Sequence, residues 1–116
     1  MMAMQIPINE QIDAILTGRV WNIVRRYCDG RWGDLVREWT VSVSDIRSEA
    51  ERRGLECFVT DRPRAEGNWL CSVVQGFEVF YFERGVRMDR EVFATLPEAF
   101  DAWLTRELKS LQLPRN

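Results

Sequence analysis

Histidine is missing from this chain of 116 residues. Its absence removes the usual neutral-pH general base, a common metal ligand, and every Ser-His or Cys-His arrangement for nucleophilic catalysis. Cysteine is sparse: Cys28, Cys57 and Cys71 are odd in number and widely spaced. That spacing makes neither a disulfide framework nor a zinc site, so reduced, partly buried thiols are expected. No cofactor or metal is implied. Long apolar runs are also missing, and Met1 to Gln5 lack the basic start and apolar centre of a signal peptide. These features predict a cytoplasmic protein that does not engage a membrane. Strong net charge is absent too: a formal value of −2 supplies no field that argues for nucleic acid or an anionic surface. Finally, Lys109 is the sole lysine, and every other basic residue is arginine. GC-rich coding produces such a bias, and exposed arginine also favours bidentate interface contacts.

What is present fits one domain, residues 1–116, with an apolar content of 46% that suffices for a continuous core. Helical spacing of Ile12, Ile15, Leu16, Val20, Ile23, Val24 and Tyr27 predicts a helix from about Asn9 to Asp29, with Asn9 as N-cap and Gly18 as a weak point or break. Residues 34–39 read as a short helix, whereas Trp39, Val41 and Val43 alternate like a strand. Ser44 as N-cap, early Asp45 and Glu49, late Arg52 and Arg53, and Gly54 as stop predict a helix over 45–53.

From Leu55 the period changes to two, which predicts a first strand ending near Thr60. Further strands are predicted over 69–75, 77–84 and 86–93, with turns at Gly76 and Gly85. The Thr95-Leu96-Pro97-Glu98 stretch has capping-box form and opens a final helix, whose apolar stripe is Phe100, Trp103, Leu104, Leu108 and Leu111. The predicted class is α+β: an antiparallel meander of three to four strands packed against N-terminal and C-terminal helices.

Three groups are candidates for partner contact. Charges of both signs crowd the hairpin across the turn at Gly85, at Glu83, Arg84, Arg87, Asp89, Arg90 and Glu91. Cross-strand pairing on a wet surface explains them, and so does recognition of a charged partner site. Among five tryptophans, Trp21 and Trp103 read as core, while Trp32 and Trp39, beside Gly30 and Gly33, read as exposed contacts. The acidic set Asp29, Asp34, Glu38 and Asp45 suits either a solvated face or phosphate mimicry toward a basic nuclease cleft. Catalysis would need paired carboxylates, such as Glu78 with Glu91 or Asp61 with Glu66. Their spacing does not distinguish them from surface charge, and the chain is expected not to be an enzyme.

The stretch Tyr81-Phe82-Glu83-Arg84-Gly85, then Phe93-Ala94-Thr95, then Glu98-Ala99 at a helix start resembles a pattern of small immunity proteins from bacterial polymorphic toxin systems. It departs from that pattern at Leu96, where an acidic residue is expected. The resemblance implies a stoichiometric inhibitor that binds a cognate toxin domain, made beside a toxin delivered by contact-dependent or type VI secretion. A regulatory or adaptor domain acting as a homodimer through an open sheet face is the alternative.

Overall fold

Gly18 breaks the first predicted helix in two. It takes a left-handed conformation with φ of 71°, and the next amide, Arg19 N–H, closes back on the Ala14 carbonyl at 2.9 Å. Helix α1 therefore spans Ile8–Thr17 and α2 spans Val20–Tyr27. The start also differs from expectation, since Pro7 rather than Asn9 occupies the N-cap position. The structure, a computed structural model, describes residues 5–115. Among them are three more helices, α3 (Trp32–Glu38), α4 (Val43–Arg53) and α5 (Leu96–Ser110), and three strands, β1 (Gly67–Val73), β2 (Gly76–Glu83) and β3 (Val86–Phe93). The class is α+β, with one antiparallel sheet in the order β1-β2-β3.

These residues group into two compact units. One contains residues 5–52 together with residues 108–115; the other is Arg53–Glu107. In the first unit, the amphipathic faces of α1 and α2 bury Ile15, Leu16, Ile23 and Val24, and Leu35 and Ile46 are buried from α3 and α4. Gln11 is fully buried among them. Its amide donates to the Ile6 carbonyl and the Thr40 hydroxyl and accepts from the Thr40 N–H, so it meets the demand that interior polar groups be paired. The expected short helix is present over residues 34–38, within α3; Trp39 is extended, but 39–43 form no strand and Val43 already opens α4. The α4 cap is Ser42, not Ser44: Ser42 Oγ accepts from Asp45 N–H while the Asp45 carboxylate accepts from Ser42 N–H, a reciprocal box.

The predicted strand at 55–60 is instead a 3-10 turn over Leu55–Phe58, followed by one parallel bridge between Thr60 and Cys71. Period-two alternation over so short a stretch did not distinguish strand from turn. The later strands fall close to where the pattern put them. On β2, residues Phe77, Val79 and Tyr81 share one face, and Glu78, Phe80 and Phe82 share the other. Helix α5 lies on the Val79 face. Trp103 Nε1 donates to the Asn68 carbonyl, Asn68 Nδ2 donates to Glu107, and Arg106 donates to Glu91, all on that side. The start of α5 follows its sequence signal, with Thr95 Oγ1 bonded to Glu98 and the Ala99 N–H to the Thr95 carbonyl.

Candidate partner-binding surfaces

The turn between β2 and β3 is a two-residue connection in which Arg84 and Gly85 both have positive φ, 51° and 77°. Two successive left-handed residues match the type I′ geometry whose twist suits a hairpin. Glycine takes this conformation freely, whereas Arg84 does so at some cost. The Glu83-Arg84-Gly85 sequence thus has a conformational job. Beyond it, most of β3 is exposed: it is an outer strand of the sheet.

A bulge organises the charges on β3. Val79 pairs with Glu91 but Tyr81 pairs with Met88, so Phe80 faces two residues, Asp89 and Arg90. Asp89 is the inserted residue, with φ of 51°. In an unbroken strand, positions 87 and 90 point to opposite faces. The extra residue restores them to one face, and both arginines converge on Glu78. Arg87 Nη1 donates to Oε1 at 2.7 Å, and Arg90 Nε donates to Oε2 at 2.9 Å. The Arg87 guanidinium also lies 4.3 Å from the centre of the Phe80 ring. Glu78 itself is only 3% exposed. Burial opposes its ionisation, but the donors from Arg87 and Arg90 outweigh burial and hold its carboxyl below the ordinary glutamate range.

Glu78 was not anticipated as the organising group of this surface. Its one sequence signal is a lone carboxylate among Phe77, Val79 and Phe80. As a partner for Glu91 in acid-base chemistry it is misplaced: Glu91 is opposite Val79, on the other face, and binds Arg106 at 2.7 Å. Asp61, the other carboxylate considered, pairs with Arg64. Of the predicted hairpin residues, Glu83 ends β2 opposite Val86, Arg84 forms the turn with Gly85, Arg87 braces Glu78, Asp89 makes the bulge, and Glu91 is tied to α5.

In the first unit the tryptophans depart from expectation. Trp39, predicted as an exposed contact, is 6% exposed, because α3 ends and the chain turns extended there. Trp21, predicted as core, is 49% exposed. Its ring stacks on Trp32 with centroids 5.9 Å apart and planes inclined by 16°. Trp32 is half-buried, and its Nε1 donates to the Leu111 carbonyl at 3.1 Å. Of the acidic set, Asp29 is exposed in the turn after α2, Asp34 is held by both Arg31 and Arg37, Glu38 is half-buried near the end of α3, and Asp45 is used in the α4 cap. Asp34 and Asp45 are thereby committed to intramolecular partners, which weakens the phosphate-mimic reading of the set.

Among the described residues no group of three or more His, Cys, Asp or Glu side chains is arranged to hold a metal ion, and no helix is long and apolar enough to cross a membrane. No protein-family model, curated protein or solved structure matches the chain.

Proposed function

We propose that this chain is an immunity-type inhibitor, which neutralises a toxin domain by direct, stoichiometric protein–protein binding. The observation that carries the reading is the pre-organised charge of the outer hairpin: Arg87 and Arg90 are fixed on buried Glu78, and Glu91 is fixed on Arg106. Charged side chains that are already ordered lose little freedom on association, and a fixed pattern of both signs selects among partners. The same hairpin carries the Tyr81 to Gly85 stretch on which the family resemblance rests. Its turn function accounts for Gly85 and leaves the flanking charges for recognition.

The test is co-expression of the full chain with the toxin-like product of the adjacent gene, scored by growth rescue and by co-purification. Wild type should restore growth and purify as a complex. The double charge reversal Glu83→Arg with Asp89→Arg should lose rescue while its far-UV circular dichroism is unchanged. Absence of both complex and rescue with the wild-type chain overturns the reading; rescue untouched by the double reversal places the interface off this hairpin.

A further inference from the structure

The Trp21–Trp32 stack combines three properties that a core pair lacks. Trp21 leaves about half of its surface to solvent. Trp32 is locked by its hydrogen bond to the Leu111 carbonyl, so the platform beneath Trp21 is already ordered. The surrounding charge, moreover, is not balanced. Arg25 lies one helical turn from Trp21 on α2 and donates to the neutral amide of Asn22, not to a carboxylate. Arg31, beside Trp32, shares the single carboxylate of Asp34 with Arg37. With Arg26 matched by Glu10, Arg19, Arg25, Arg31 and Arg37 stand against Asp29, Asp34 and Glu38 in the stretch that carries both tryptophans. In a chain whose net charge is negative, this is a local excess of positive charge around an exposed aromatic platform.

Tryptophan and arginine are the side chains most enriched where binding energy concentrates, and a rigid platform adds affinity by lowering the ordering cost. We propose that the stacked Trp21–Trp32 pair anchors a docking surface for an acidic segment of a partner protein. The segment would lay an apolar or planar side chain on Trp21 and set carboxylates against Arg25 and Arg31. The inference deepens the protein-binding reading above, because it names a second contact surface and the chemistry of what it takes. Arginine is suited to the role, since its planar fork meets a carboxylate through two hydrogen bonds.

The probe is a short fluorescein-labelled synthetic peptide of alternating glutamate and proline around one central phenylalanine, titrated with the full chain and followed by anisotropy. Its lysine counterpart and an oligothymidylate of the same length serve as comparisons. The glutamate peptide should bind, more weakly as salt is added, and the lysine peptide should not. Trp21→Ala and Arg25→Glu, both at exposed positions, should each raise Kd by about tenfold with unchanged circular dichroism, whereas Trp21→Phe should keep most of the affinity. Absent binding, equal binding of the lysine peptide, preference for the oligothymidylate, or affinity indifferent to both variants would each overturn the proposal. Growth rescue is scored independently: rescue without peptide binding removes this surface and leaves the immunity reading, and peptide binding without rescue does the reverse.

Discussion

Arg87 sits with its guanidinium over the ring of Phe80 while its Nη1 reaches the carboxylate of Glu78, 2.7 Å away on the same strand face as that ring. One side chain thus covers an apolar residue and neutralises a buried acid. Its pairing opposite Phe82 sets it on that face, and the bulge at Asp89 brings Arg90 there too. Charge and core are coupled here through strand register and one backbone irregularity.

Replacing Glu78 by glutamine should therefore cost stability. Truncating one member of a buried pair costs up to several kcal/mol, but Arg90 is half-exposed and recovers hydration, so a loss of about 2 kcal/mol is expected at neutral pH. The folded-state carboxyl titrates below its unfolded counterpart. Its stabilisation is then complete above the ordinary glutamate range and fades as pH falls through the lower folded value. Urea midpoints of wild type and Glu78→Gln should differ at pH 7 and converge in acid. Equal midpoints at pH 7 would count against the brace.

Glu107 has the opposite sign. Burial raises its carboxyl above the ordinary value, and the hydrogen bond from Asn68 offsets this in part. Stability linked to this group is present at low pH and is lost as pH rises through the raised folded value. Glu107→Gln keeps an acceptor for Asn68 without the charge. It should raise the neutral-pH stability by roughly 0.5–1 kcal/mol and flatten that limb of the stability profile. A lower thermal midpoint at pH 7 than wild type would contradict the assignment.

The indole N–H of Trp39 is buried without a hydrogen-bond partner. An orphaned buried donor costs about 1–3 kcal/mol, an amount comparable to what the larger ring contributes over a phenyl group. Trp39→Phe should consequently be close to neutral, within about 1 kcal/mol, whereas Trp39→Ala should destabilise by about 3–5 kcal/mol. Chemical denaturation of the two variants separates these outcomes, and a large loss for phenylalanine would mean that the N–H is satisfied in solution.

The hairpin turn offers a test of scaffold against contact. Arg84→Asn places a residue that favours positive φ where arginine is strained, and should stabilise by about 0.5 kcal/mol; Gly85→Ala should cost about 1 kcal/mol. Assayed by growth rescue, Arg84→Asn that folds and still protects would give Arg84 a turn role alone. Loss of protection in that stable variant would make the guanidinium a contact.

Much of the sheet was legible beforehand. The strands lie within about two residues of their predicted ends, and α5 begins at its capping box, because alternation, positive-φ glycine and N-terminal capping are short-range effects. The candidate surfaces were less so. Trp21 and Trp39 exchanged their expected burial, since periodicity says which helical positions share a face but not which face meets the core. Glu78 was passed over as a brace because its two arginines share a face only once Asp89 is known to bulge.

By itself, the amino-acid sequence determined the α+β class, the absence of imidazole chemistry, a turn at Gly85 and the start of α5. Each follows from residue type or from contacts a few positions apart. Tertiary structure alone decided that Trp21 stacks outward on Trp32, that Trp39 is enclosed, and that Arg87 and Arg90 meet on Glu78. Those outcomes depend on side chains from different elements and on a register shift between strands, and no local preference of the chain specifies them.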